Sequence, residues 1–157
     1  MMKTKKFFII FIICLLITGI FFSIYSHTIL SQKVVKNILE KISETSLLTY
    51  QTYDFNEYED SIRHEYSHYF TETGINQALA RRYFSRFFDP EIQINDIQVE
   101  DVSLSHSKWA YSETTINGTF KTVYTTIDHN SLEDNWHVTA QLNRVNGKWL
   151  VNSIRID

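Results

Sequence analysis

Very little in this sequence can interrupt a chain: 157 residues contain one proline, four glycines and one cysteine. So few breakers exclude a long flexible or polyproline linker. The lone cysteine, Cys14, sits inside an apolar run near the N-terminus, so the remainder can hold neither a disulfide framework nor a thiol nucleophile. Glycine-rich phosphate loops, G-x-S-x-G elbows and internal repeats are also missing. Acidic residues are absent from the first 27 positions, where Lys3, Lys5 and Lys6 are the only formal charges. Of the 15 Lys and Arg, 12 therefore lie beyond residue 27 with all 18 Asp and Glu, a net of −6. A surface of that sign is a poor electrostatic match for nucleic acid, and no nucleic-acid partner is expected.

Aromatic residues, by contrast, are abundant: 11 Phe, 9 Tyr and 3 Trp, suited to a packed core or a contact surface. Residues Phe7–Tyr25 form an uncharged apolar run of 19 residues. At about 1.5 Å per helical residue this spans roughly 28 Å, the thickness of a bilayer's hydrocarbon core. Lys3, Lys5 and Lys6 orient the start of such a helix toward the cytoplasm, which places the rest of the chain on the other side. Phe7 and Tyr25 mark the ends of the anchor, with His27 beside the second. The run is longer than the usual signal-peptide core, and no A-x-A-like site follows it. Phe11, Ile12 and Ile13 before Cys14 are not the small residues that lipid attachment requires. The organisation expected is a cytoplasmic tail (1–6), a transmembrane helix (7–25), a stalk or first helix (26–49) and an extracytoplasmic domain (50–157).

Beyond the anchor, Leu30, Val34, Val35, Ile38, Leu39 and Ile42 keep helical spacing over residues 28–46. Asp54 with Glu57 forms a candidate capping box for a helix over 54–70, with Tyr58, Ile62, Tyr66, Tyr69 and Phe70 inward. Thr71–Gly74 breaks that pattern. A third helix is expected from Ile75 to Phe88, ended by Asp89-Pro90. From Glu91 the period changes to two. Ile92–Val99, bulged around Asn95-Asp96 and extended by Val102 and Leu104, predicts the first strand. Residues 107–116 predict a second, Asn117-Gly118 a tight turn, Phe120–Ile127 a third strand and 128–135 a polar loop. Trp136–Val145, a turn at Asn146-Gly147 and Trp149–Ile156 complete the pattern. Helices followed by an antiparallel meander make an α+β plan, about three helices packed on a curved sheet of four to five strands. By analogy of element order, this is the cone of the nuclear-transport-factor-two-like (NTF2-like) superfamily.

Three arrangements are candidates for chemistry or contact. His64-Glu65-Tyr66-Ser67-His68 is a literal H-E-x-x-H, whose two histidines on one helix face can bind zinc with Glu65 as base. That reading describes a membrane-anchored zinc hydrolase. It lacks a third ligand, because Thr71 and Gly74 stand where the extended motif wants Gly and His, and Glu91, Glu100 and Asp101 come later in a strand region. The blander reading makes both histidines solvated residues opposite the aromatic face. Asp54 with His64, or Asp101 with His137, are imaginable acid–base pairs, while His106 and His129 are isolated. Arg81, Arg82 and Arg86 cluster on the third helix, as a solvated face, as salt-bridge partners of the acidic helix before it or, with Tyr69 and Phe70, as an interaction surface. A small ligand in the cone is a further alternative. Asn117-Gly118-Thr119 matches a glycosylation acceptor, which the expected turn accounts for equally well.

Over residues 50–79 the sequence resembles the IcmL/DotI family of type IV secretion proteins. Tyr53-Asp54-Phe55, Tyr58 and the Tyr69-Phe70-Thr71…Gly74 block carry the resemblance, with weaker support from Trp136-His137-Val138 and the closing Asn-Gly-Lys-Trp-Leu-Val. The resemblance implies a single-pass protein of the bacterial inner membrane with a periplasmic domain like the VirB-type assembly scaffolds. It implies homo-oligomers and contacts with other secretion-system envelope proteins, with no catalytic residues, metal or cofactor.

Overall fold

The computed structural model describes residues 2–48, 55–87 and 94–157. Two compact units divide between Leu30 and Ser31. Helix α1 (Met2–Leu48) supplies the described part of the first unit and the opening of the second. In the first, Phe11–Tyr25 are exposed all round, and the helix is long and apolar enough to cross a membrane. Three of its hydroxyls bond back within the helix: Thr18 donates to the Cys14 carbonyl at 2.6 Å, Ser26 to that of Ser23 at 2.9 Å and Thr28 to that of Ile24 at 3.0 Å. Such back-bonding pairs a hydroxyl that an apolar surrounding would otherwise leave bare. Phe7, Lys3, Lys5 and Lys6 fall in α1, with side chains outside the described residues.

From Ser31 the pattern of α1 narrows to one stripe. Ser31, Val35, Ile38, Leu39, Ile42, Thr45 and Ser46 are buried, while Lys36 and Glu40 pair at 3.7 Å on the outside. Helix α2 (Phe55–Tyr66) contributes Ile62 and Tyr66 to the core. Its expected cap, Asp54, lies outside the described residues. Helix α3 (Glu72–Ala80) starts three residues earlier than its apolar spacing indicates, because Thr71 acts as N-cap and accepts from the Gly74 amide at 3.1 Å. It also stops early: Arg82 takes a left-handed conformation (φ 56°) and a 3-10 turn, Tyr83–Ser85, follows. That turn swings Tyr83, Phe84 and Phe87 into the core. Phe88 and Asp89-Pro90, the expected stop, are outside the described residues. Gly74 is required by packing, since a Cβ there would overlap the Val151 carbonyl of the sheet.

Four strands, β1 (Ile94–Trp109), β2 (Glu113–Thr126), β3 (Ser131–Val145) and β4 (Lys148–Ile156), form one antiparallel sheet in chain order. The α+β plan holds, with four strands. Two sequence expectations are corrected. Asn117-Gly118 is no turn: β2 passes straight through it, pairing Asn117 with Ser105 and Thr139. The hairpin instead turns at Ala110–Ser112, where the Ala110 amide donates to the Glu113 carbonyl at 2.8 Å. Gly118 is there because β1 bulges toward it between Glu100 and Ser103, with Asp101 left-handed at φ 50°, and any Cβ would strike the Ser103 carbonyl. The loop expected over 128–135 is mostly strand, since β3 already begins at Ser131. The expected irregularity near Asn95 is present, and Asn146-Gly147 does turn the last hairpin with φ of 49° and 81°.

One face of the sheet carries Ile97, Ile116, Phe120, Val138, Ala140, Leu142, Trp149 and Val151, all buried. The helices cover it with an aromatic cluster. Tyr66 and Phe84 lie 4.4 Å apart between ring centroids, and Phe87 stands over Phe120 at 5.8 Å and Trp136 at 5.3 Å. The Tyr66 hydroxyl meets that of Thr45 at 2.7 Å, and burial raises its pKa above the ordinary tyrosine range. At the first turn of this part of α1, Ser31 meets His106 Nε2 at 2.9 Å and Gln32 donates to the Leu104 carbonyl at 3.0 Å.

Two outcomes follow. Gly118→Val destabilises the protein by about 1–3 kcal/mol through forced overlap with β1, whereas Asn117→Thr stays within about 0.5 kcal/mol, as an exposed strand position should; denaturant unfolding of the full chain in detergent measures both. Burial also lowers the His106 pKa below its ordinary 6.5. The unfolded chain therefore binds more protons, so stability is intact above that value and falls as pH drops through it. Unfolding midpoints taken from about pH 7.5 to about pH 5 should show this fall, and His106→Gln should flatten it.

Candidate functional site

The outer face of the sheet is polar. Ser103, Ser105, Asn117, Thr119, His137 and Thr139 line a shallow groove open to solvent. Alternation puts these side chains outward wherever their neighbours Ile116, Phe120, Val138 and Ala140 point inward. Beside the groove, Lys121 reaches Glu133 at 3.1 Å and Asp101 at 3.5 Å, across three strands. The hydrogen bond to Glu133, with the pull of both carboxylates, raises the Lys121 pKa. Asp101 is thus engaged by Lys121, whereas His137 stands opposite Thr119 and exchanges backbone hydrogen bonds with Asp157. Asp54 and Glu91 lie outside the described residues. His129 is exposed in the β2–β3 turn at φ 61°.

His64 lies in the last turn of α2, but the helix ends at Tyr66 and His68 falls in the turn beyond it. Both histidines are exposed, and Glu65 pairs with Lys41 of α1 at 3.4 Å. The geometry that makes H-E-x-x-H a zinc motif is a continuous helix carrying both histidines on one face, with the glutamate free. Among the described residues, no group of three or more His, Cys, Asp or Glu could hold a metal.

The arginines stand at the end of α3. Arg81 caps the helix, Arg82 takes the left-handed turn and Arg86 follows the 3-10 segment. All three are exposed, and none forms an ion pair among the described residues. On the acidic helix before them, Glu59 takes a two-pronged contact from Arg63 instead, at 2.6 and 3.0 Å. Arg81 reaches the Tyr83 hydroxyl at 3.4 Å, and Arg86 lies 5.6 Å over the Trp136 ring, whose indole N–H donates to Thr122 at 2.8 Å. The aromatic partners expected beside them are corrected in part. Phe70, with 3% of its surface exposed, is a core residue, packed edge-on to Tyr66 and Phe84 and bridged by its backbone to Val151. Tyr69 is half-buried, and its carbonyl accepts from the Val151 amide. Tyr83 and Trp136 are the aromatics that meet the basic cluster. The inward parity of Trp136 on β3 was readable, but only the fold brings Arg86 onto it.

No family model and no curated protein matches the sequence. Solved structures do match in shape. An NTF2-like superfamily protein from Salmonella enterica serovar Typhimurium aligns with a TM-score of 0.51 at 7% identity, over 80% of this chain and 86% of its own. Also similar are a Novosphingobium aromaticivorans protein described as an aromatic ring hydroxylase (TM-score 0.45, 8% identity, 81% and 87% covered) and the association domain of C. elegans CaMKII (TM-score 0.42, 11% identity, 81% and 98% covered). The fold is NTF2-like.

Because His64 and His68 are exposed, replacing both with alanine should leave the unfolding midpoint within about 0.5 kcal/mol of the parent. Added zinc should shift neither protein; a zinc-dependent rise seen only in the parent would establish a metal site.

Proposed function

We propose that this protein is a membrane-anchored, non-enzymatic scaffold module whose domain works by presenting surfaces. The observation that carries the proposal is the inner face of the sheet. Its described residues are occupied by the protein's own rings, with Tyr66 against Phe84 and Phe87 against both Phe120 and Trp136. A cone used in this way offers its outside to partners. On that outside, the arginine cluster is a local excess of positive charge on an acidic domain, able to meet carboxylates of a partner or of a second copy.

The anchor is the apolar part of α1, crossing the membrane once. The three lysines before it hold the N-terminus in the cytoplasm, and the domain from Ser31 onward lies in the periplasm. Resemblance over residues 50–79 to the IcmL/DotI proteins gives the setting: the inner membrane, within a type IV secretion or conjugation apparatus, in homo-oligomers and alongside other envelope components. What supports this setting is sequence likeness together with the shared order of anchor and α+β domain.

Chemical cross-linking of intact membranes tests the scaffold reading. Trapped homo-oligomers or envelope partners are expected, and replacing Arg81, Arg82 and Arg86 together with glutamate should reduce the trapped species while leaving the monomer folded. A strictly monomeric protein without partners would overturn it. A reporter fused after Asp157 that is active in the cytosol would overturn the topology.

A further inference from the structure

Five large apolar side chains are exposed among the described residues of the domain: Trp109, Tyr111, Ile127, Leu132 and Val145. Three of them gather at one end of the sheet. The β1–β2 turn and the β3–β4 turn are neighbours there, since the Arg144 amide donates to the Ser112 carbonyl at 2.8 Å. Arg144 also lies 4.7 Å over the ring of Tyr111, which remains 68% exposed. Residues 108–113 and 144–149 make up this tip. They contain three cations, Lys108, Arg144 and Lys148, against one carboxylate, Glu113. A domain with net negative charge therefore ends in a positive, aromatic tip. The inward positions of β1 and β2 are filled by other residues, so Trp109 and Tyr111 stand outside the core.

Chain connectivity says what this tip meets. Ser31, the first residue of the domain unit, is bonded to His106, three residues before Trp109. Tyr25, at the end of the apolar run, precedes Ser31 by only six residues, a reach of at most about 20 Å for any chain conformation. Trp109 lies about 10 Å further along β1. The end of the sheet that carries the exposed aromatics is thus joined to the apolar run by only a short stretch of chain. Trp and Tyr favour the headgroup region, where an apolar body and a polar edge are both satisfied, and neighbouring Lys and Arg meet lipid phosphates. We infer that the paired hairpin tip, with Trp109 and Tyr111 as its aromatic wedge and Arg144 and Lys148 as its cationic rim, docks on the lipid headgroups beside the anchor. The inference rests on the membrane-anchor reading above. Docking at a second point would fix the domain's orientation on the membrane, so that the arginine cluster and the polar groove face the same way in every copy.

The test uses the full-length chain in vesicles of phosphatidylethanolamine and phosphatidylglycerol, with and without lipids brominated high on their acyl chains. Subtracting the emission of Trp109→Phe from that of the parent isolates Trp109 from Trp136 and Trp149. The expected result is a blue-shifted Trp109 contribution, most of which is lost with brominated lipid, while the Trp109→Phe protein is far less quenched. A nitroxide on Tyr111→Cys, in a Cys14→Ser background, should report shallow burial in the same vesicles. Protein that floats with the vesicles but shows unquenched Trp109 and a water-exposed label overturns the docking alone. Protein that does not float overturns the anchor, and the docking with it.

Discussion

A four-stranded sheet with one apolar face must have that face covered, and the cover here is a single stripe on α1 backed by a knot of aromatic rings. Val35, Ile38, Leu39 and Ile42 are completely removed from water. At about 25 cal/mol per Å² of apolar surface, stripes of this kind are the largest favourable contribution a small domain has. The remaining order of the domain is arranged around that contact. Gly74 lets α3 approach β4, Gly118 lets β1 bend over β2, and the left-handed Arg82 redirects the chain so that Phe84 and Phe87 complete the cover. Each is a concession in backbone or side chain that brings a helix or strand closer to the same core.

The same constraint explains which parts of the fold could be read from sequence. In β3 and β4, Trp136, Val138, Ala140, Leu142, Trp149 and Val151 alternate cleanly, because both strands bury one face and expose the other; their shared turn needs two positive φ angles, which Asn146-Gly147 supplies. The identical dipeptide at 117–118 answers a different demand. There, glycine relieves a clash with a neighbouring strand, and a contact with a residue fifteen positions away leaves no local signature. The Ala110–Ser112 turn carries no glycine or proline to announce it, so the sequence pattern points to Asn117-Gly118 instead and keeps the exposed Trp109 and Tyr111 inside an expected strand. At the arginine cluster, spacing alone indicated the grouping. The burial of Phe70 followed from its backbone bridge to Val151, which only the assembled sheet creates.

Local motifs fared according to whether their geometry is local. H-E-x-x-H demands five helical residues in succession, and α2 stops before the last two of them. The chain leaves the helix at Tyr66 because residues 69–71 are drawn to the edge of β4, where the Val151 amide and carbonyl are satisfied by Tyr69 and Thr71. Closing a sheet edge removes a hazard of unwanted strand pairing. In this competition, pairing at the edge outweighs one more turn of helix.

The polar groups within the core determine how its cover is seated. A purely apolar stripe on α1 could slide by a turn or rotate with little penalty, since burial has no direction. Ser31 at one end, bonded to His106, and Thr45 and Ser46 at the other, bonded to the Tyr66 hydroxyl and the Phe84 carbonyl, remove that freedom. A slip would leave a buried hydroxyl, imidazole or carbonyl without its partner, at a cost of about 1–3 kcal/mol for each. Register along α1 is therefore held at both ends of the domain part of the helix. The fixed residue Ser31 thereby also sets how much chain lies between the sheet and the apolar run.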